Sequence, residues 1–506
     1  MNYYNYKGRK KIVIPVTVEQ FNQNPIAWIK KYISQCVSIN EQNKNESIKL
    51  KNVYKGDQEI KNKTRINKSN DNNHKVVVNH IFRQVEFKKG FMVGKPIEYA
   101  MATSSINTDD MTYLNKFLRD SKKASKDIDK YEQLYICGVA NTFIIPKRTD
   151  FDVKNEAPFT ISVLEEGQGF VVYSNDITND PLFNVVISEH ASLDTNKYKT
   201  TKVYDIYYIN KNDGYCYTFA LTRLNGQFVN YGANEYQQTY KFLPITEFCL
   251  NNSRMGIVEL VISIQDFLND TKSNQIDGIV DFINSYLVFE NQNFKSPDFL
   301  KVFEELKQKR VLGITTASPD KPAKVHLLKD NLQNEDINSV YNATKNEMYD
   351  IVATPISSGN VTSGGDTGQA RLLGNGWESA QNQAEVDTTY LMQYEYEQLK
   401  KIITICKDTE DNPISEISAS DIEIKFSINM SNNLLVKAQS LKYLYDMNMP
   451  KEEALVMVGL TGDTHGVGVK WEENDNNIKN QQLENEIKKS NINSNNDNKK
   501  DVNEEK

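Results

Sequence analysis

Cysteine is sparse in this 506-residue chain: Cys36, Cys137, Cys216, Cys249 and Cys406 are scattered, odd in number and never spaced as Cys-x-x-Cys. That spacing excludes a zinc ribbon or a disulfide framework and leads us to expect a reducing compartment. Histidine is equally sparse, and none of His74, His80, His190, His326 and His465 stands at metal-ligand spacing from another His or Cys. There is no Gly-x-Ser-x-Gly elbow, and no clustered acidic core of the kind that holds two catalytic metals. We therefore expect no catalytic residue, no metal and no cofactor. No run of 18 apolar residues occurs, so no membrane span is expected. The apolar stretch 12–18 behind a basic start is short, contains Pro15 and precedes no small-residue cleavage site, so no signal peptide is expected either. Net positive charge is absent as well. Lys+Arg number 60 against 67 Asp+Glu, a net of -7, whereas a protein that grips duplex DNA by its phosphates is basic over at least one patch. A sequence-reading repressor is excluded.

Apolar residues make up 39% of the chain and aromatics 10%, enough for a sizeable core. The mean hydropathy of -0.59 reflects pervasive Asn and Lys rather than a shortage of Ile, Leu, Val, Phe and Tyr. Residues 19–75 are polar, with a helix expected over 25–37 because Trp28, Ile29, Tyr32 and Ile33 share a face. The ordered body is expected to begin at 76. Helices are expected at 111–118 and 128–139, then a strand at 141–146. From 159 to 248 the apolar period becomes 2, with Asn-Asp-Gly at 212–214 and Asn-Gly at 225–226 as hairpin signals, so this is an antiparallel sheet region.

The period then switches to 3.6. Residues 256–283 contain no proline and form one helix about 42 Å long at 1.5 Å per residue. A small unit follows: strand 286–290, helix 298–309, strand 310–315, the turn at 319–322 and strand 324–328. Helices at 334–352 and 377–406 flank a Gly/Ser/Thr-rich loop, 354–368. A strand at 421–427, helices at 434–447 and 450–458, and a charged tail from 472 that is expected to be disordered complete the chain. The fold class is α+β.

The loop 354–368 lacks the Lys of a phosphate-cradling Gly-x-x-x-x-Gly-Lys-Ser/Thr motif, and no strand precedes it, so it is no nucleotide loop. It reads as a polar connection between helices. The first long helix is more informative. At about 100° per residue, Glu259, Asp266, Asp270, Asp277 and Asp281 fall within roughly 60° of one another. Stacked like charges are mildly destabilising. An ordinary solvated helix face fits this stripe. So does a helix lining a water-filled passage whose negative wall lets a polyanion move without sticking.

Several motifs carry a resemblance. They are Asn52-Val-Tyr-Lys-Gly-Asp57, Asn73-His-Lys-Val-Val-Val-Asn-His80 with Lys89-Gly-Phe-Met-Val-Gly-Lys-Pro96, Leu243-Pro-Ile-Thr-Glu-Phe-Cys-Leu-Asn-Asn252, Ser357-Ser-Gly-Asn-Val361, and Ile422-Glu-Ile-Lys-Phe426 followed by 432–459. In order and spacing they resemble the portal (head–tail connector) proteins of tailed bacteriophages, especially the branch found in phages of Gram-positive hosts. The resemblance runs from about residue 50 to 465, with Cys249 interrupting the usual run before the two asparagines.

That resemblance implies a ring-forming portal-type fold: an α/β wing (1–255 and 371–430), stem helices at 256–285 and 330–352, a small α/β clip at 286–329, a tunnel loop at 353–370, a helical crown at 431–471 and a tail at 472–506. It implies a dodecamer at one capsid vertex, with double-stranded DNA passing through without sequence reading. The expected partners are the terminase motor, head-completion or tail adaptor proteins, and the major capsid and scaffolding proteins. The protein would be assembled in the host cytoplasm and located in the virion. On this reading the acidic stripe faces the channel, and Ser357, Ser358, Gly359, Asn360, Val361, Thr362 and Ser363 approach the DNA. Phe289, Phe303, Lys309, Arg310 and Lys321 of the clip would meet the adaptor. Two other classes remain open: a packaging-module ATPase or nuclease, which needs a P-loop or a metal cluster, and a capsid or adaptor protein without a channel.

Overall fold

A computed structural model describes residues 7–63, 73–102, 108–194, 197–232, 235–283, 287–290, 324–327, 334–356, 376–428, 434–447, 449–458 and a few positions between 470 and 477. The helices and strands in chain order are α1 (Val18–Gln23), α2 (Pro25–Tyr54), α3 (His80–Val93), β1 (Glu98–Met101), α4 (Thr108–Asp120), α5 (Lys123–Cys137), β2 (Val139–Pro146), β3 (Phe159–Leu164), β4 (Gly169–Tyr173), β5 (Pro181–Asp194), β6 (Lys197–Ile209), β7 (Cys216–Leu224), β8 (Gln227–Asn230), β9 (Tyr236–Gln237) and β10 (Ile245–Cys249). Then come α6 (Ile257–Ile283), β11 (Leu287–Glu290), β12 (Lys324–Leu327), α7 (Asn334–Ile351), α8 (Trp377–Asp408), β13 (Ile422–Lys425), α9 (Leu434–Asp446) and α10 (Lys451–Val458). Long helices and antiparallel sheets occupy separate stretches of the chain, which makes the class α+β.

Two compact units divide the chain. The larger comprises Tyr6–Ile48, Val85–Ile257 and Gln381–Lys506. Its main sheet has the order β4-β5-β6-β7-β8, with β9 pairing β7. The Asn225-Gly226 turn between β7 and β8 has both residues at positive φ, 49° and 85°, the twist a two-residue hairpin requires. Strand faces alternate, so Phe170, Val172, Phe183, Val185, Ile206 and Leu221 all point to one side, where they bury Ile29, Ile33 and Val37 of α2. A second sheet runs β10-β2-β3, and β1 pairs β13. Gly138 ends α5 at φ 79°, and a Cβ there would lie 2.4 Å from the Met255 backbone, so only glycine fits.

Two expectations are corrected in this unit. The ordered body begins well before residue 76: Ile12, Ile14 and Val16 alternate into the same core, and Val13 bridges Tyr173. The helix expected over 25–37 runs to Tyr54. Its polar second half contains neither Gly nor Pro and is held in part through its polar groups, as where Asn40 Nδ2 donates to Gly167 O at 2.9 Å.

The smaller unit comprises Met1–Asn5, Lys49–Gln84 and Val258–Ala380. It joins α6 and α7 to a segment, 49–84, that the sequence reading placed with the wing. β11 pairs β12 antiparallel, Leu287 opposite Leu327. The helix and strand expected at 298–315 lie outside the described residues, as does most of the expected tail.

Candidate functional site

The helix α6, expected to be the channel wall, has a polar ladder on its buried side. Gln265, Asn269, Ser273 and Asp277 stand four residues apart and are all fully buried. Each accepts a backbone N–H from an extended segment running antiparallel to the helix. His80 N donates to Gln265 at 3.1 Å, Val78 N to Asn269 at 2.9 Å, Val76 N to Ser273 at 3.0 Å and His74 N to Asp277 at 3.0 Å. The two repeats match in length. Four helical residues rise about 6 Å, and two extended residues span about 6.6 Å. Alternate amides of the strap therefore meet successive rungs of the helix. Gln265 Nε2 returns a bond to Val78 O at 2.7 Å, and Asn269 Nδ2 donates to Gln58, whose own amide donates to Val53 O and Asn79. Asn79 closes the circuit by donating to Tyr54 O at 2.8 Å.

This ladder corrects the expectation of one continuous water-facing acidic stripe. Asp277 is fully buried, bonded to His74 through both its backbone N and its Nδ1 (2.8 Å), and Glu259 is only 8% exposed. A carboxylate buried against its own hydrogen-bond partners does not face a water-filled passage. Asp266 and Asp270 are half-buried, and Asp270 pairs with Lys63. Burial first, then the nearby charges of Glu59 and Asp270, push the Asp266 carboxyl up to about 6, against the pull of Lys63. The side chain of Asp281 lies outside the described residues.

What α6 exposes is partly apolar: Leu260, Phe267 (46%) and Ile279. On α7 the same holds for Val340 and Ile351, each 52% exposed. The buried side of α7 meets the end of the strap. His80 lies between Tyr341 and Tyr349, with Nε2 3.0 Å from one hydroxyl and Nδ1 3.2 Å from the other, while Gln84 donates to Met348 O. Burial, reinforced by Lys345 and Arg83, lowers the His80 pKa to about 4, so the ring is neutral near pH 7. Sequence reading singled out Asp277 only as one of the acidic stripe and Asn73–His80 only as a motif, and it missed Gln265, Asn269 and Ser273 and the bonds that join them. Their signal was polar side chains at four-residue spacing on one face of the helix.

Of the expected clip residues, Phe289 lies on β11 opposite Val325. Phe303, Lys309, Arg310 and Lys321 lie outside the described residues, as do Ser357, Ser358, Gly359, Asn360, Val361, Thr362 and Ser363 of the expected tunnel loop. The larger unit has a cleft of about 900 Å³ beside β10 and α8. Its central charges are internally paired: Arg254 forms two 2.8 Å bonds to the Glu247 carboxylate, and Tyr173 donates to the same group at 2.9 Å. Burial would push Glu247 up, but Arg254 and those bonds hold it below the usual carboxylate range. Among the described residues no group of His, Cys, Asp and Glu could hold a metal, and no helix is long and apolar enough to cross a membrane.

A model of the family described as "Phage portal protein, SPP1 Gp6-like" matches residues 33–481, which is most of the chain. The chain belongs to the phage portal protein family. A search of curated proteins finds no match. Portal proteins are structural virion components rather than enzymes, and membership implies a ring associated with a capsid. The matched span contains both halves of the ladder, the Asn73–His80 strap motif and α6. The strap's extended backbone and its terminal Asn79 are what the ladder uses.

Proposed function

We propose that this portal subunit assembles as a dodecameric ring at one capsid vertex, forming the channel for DNA packaging and ejection in a phage of a Gram-positive host. The observation that carries this reading is that α6, which buries Val258, Val261, Ile262 and Leu268 beside its polar ladder, still exposes Leu260, Phe267 and Ile279. Exposed large apolar groups on α6 and α7 lose that exposure when a neighbouring copy covers them. In this reading α6 and α7 are the stem, 286–329 the clip, 431–471 the crown, and the remaining parts of 1–255 and 371–430 the wing. The terminase motor docks first, and head-completion or tail adaptor proteins replace it at Phe289, Phe303, Lys309, Arg310 and Lys321. The major capsid and scaffolding proteins surround the ring, and residues 357–363 approach the DNA through hydroxyl and backbone contacts that exchange readily.

Only Asp266, Asp270 and Asp281 of the acidic stripe remain candidates for the channel wall. Native mass spectrometry of the purified chain tests the central claim. Closed rings near twelve subunits are expected, and a population of monomers and dimers alone at micromolar concentration would overturn it.

A further inference from the structure

The cleft of about 900 Å³ in the larger unit is the size of a ligand pocket, and its charge runs against that of the chain. Lys11, Lys241, Arg254, Lys400 and Lys401 line it against Glu247 and Glu397. Five cations against two carboxylates leave a local excess of three positive charges in a chain whose net charge is -7. Both carboxylates are already met, Glu247 by Arg254 and Glu397 by Lys401, each at 2.8 Å. Lys401 is fully engaged, since its Nζ also donates to Ile245 O and Thr246 Oγ1. Lys11, Lys241 and Lys400 remain, all exposed and without an ion pair among the described residues. Lys11 Nζ stands 4.1 Å over the ring of Tyr173, a residue of the cleft wall. Burial lowers the pKa of Lys11; Glu247 opposes that fall and Arg254 adds to it. An ammonium group partly withdrawn from water gains from a carboxylate that comes to meet it.

The remainder of the cleft is apolar wall and open backbone. Val171, Phe242, Leu243 and Ile245 supply the wall. Along β10, Leu250 N donates to Gly138 O at 3.0 Å and Ile144 N donates to Pro244 O at 2.9 Å. The even-numbered residues of β10 therefore bond β2, and the odd-numbered ones turn their N–H and C=O to the opposite edge. On that edge the Ile245 N–H donates to Asn184 Oδ1 and its carbonyl accepts from Lys401. Glu247 and Cys249, which also line the cleft, have no strand alongside on that edge among the described residues. A small anion would use the lysines alone. An extended peptide uses all three features: acidic side chains meet the ammonium groups, an apolar side chain meets the wall, and its backbone meets the edge of β10.

We propose that this cleft is a docking site for an extended, acidic peptide segment of a partner protein, one that carries at least one large apolar side chain. The site is separate from α6, α7 and the residues assigned to the adaptor, and it does not depend on the number of subunits in the ring.

The test selects displayed random dodecapeptides on the purified full-length chain, with the variant Lys11→Gln, Lys241→Gln, Lys400→Gln as counter-screen. Recovered sequences should be rich in Asp and Glu around Phe, Leu or Ile. As fluorescein-labelled peptides they should bind the unchanged chain less tightly as salt rises, and bind the variant about tenfold or more weakly. The three lysines are exposed, so the variant should melt with the unchanged chain. A second variant, Asn252→Glu with Gln393→Glu, adds repelling charge at two exposed positions of the cleft, keeps every lysine and should show a similar loss. Recovery of no acidic peptides, or equal binding to all three proteins, would overturn the proposal. In assembled particles a photoreactive phenylalanine analogue at position 393 should join the chain to a different polypeptide. Crosslinks to a second copy alone, or none, would make the cleft a contact between subunits or an empty surface, and either result overturns the proposal while leaving the ring reading in place.

Discussion

Asp277 is the residue whose role changes most between sequence and structure. In the sequence it is one of five acids on a helix face; in the fold it anchors the far end of the strap through His74. Asp277→Ala should leave a buried N–H without an acceptor and cost about 1–3 kcal/mol, whereas Asp277→Asn keeps an acceptor and should cost less. Urea unfolding midpoints of the two variants check the order. Two neighbours in the same unit give opposite pH dependences. His80 titrates at about 4 when folded against 6.5 otherwise, so the unfolded chain binds more protons between those values. Its contribution is present above 6.5 and is lost as the pH falls toward 4. Asp266 is raised from 3.8 to about 6, so there the folded chain binds more protons, and its contribution grows as the pH falls from 6 to 3.8. Unfolding measured between pH 6.5 and 4 should therefore show a steeper acid loss in Asp266→Asn and a shallower one in His80→Gln.

Elements whose hydrogen bonds close within themselves were legible in the sequence. Proline-free 3.6 periodicity marked α6, α7 and α8, and Asn225-Gly226 marked the turn between β7 and β8. The strap was not legible, because its amides bond to side chains about 190 residues away and no local period records that. The second half of α2 was missed because it is polar in sequence, although Asn40 and Ser47 are buried within it. A buried ion cluster was also missed. Lys123 and Lys130 on α5 meet Asp127 and, across to α8, Glu395, which is fully enclosed. Burial would raise the Glu395 carboxyl, but the two ammonium groups hold it ionised below its usual range. Glu395→Gln leaves their charges undercompensated and should cost about 3–5 kcal/mol. A thermal melt that stayed within a degree of the unchanged protein would show the cluster to be dispensable.

At the scale of the whole assembly, electrostatics separates a passage from a binding site. A ring of twelve subunits at -7 each, as proposed above, would carry roughly -84 charges, a field that would discourage DNA from adhering to it. Placing lysine at Asp277 would test folding rather than passage, because that side chain is buried. Asp270 is the better position, since it is half-buried and its partner Lys63 is a side chain 49% exposed. Asp270→Lys, made with Lys63→Gln to avoid a new repulsion, would place twelve cations around a ring. Each phosphate contact so gained strengthens adhesion in a salt-dependent way. Ring mass should be unchanged, while packaging slows or stalls at low salt and partly recovers as salt is raised. Packaging at the normal rate in every salt condition would remove Asp270 from the channel wall. A variant that lost its rings would instead assign this face of α6 to contacts between subunits.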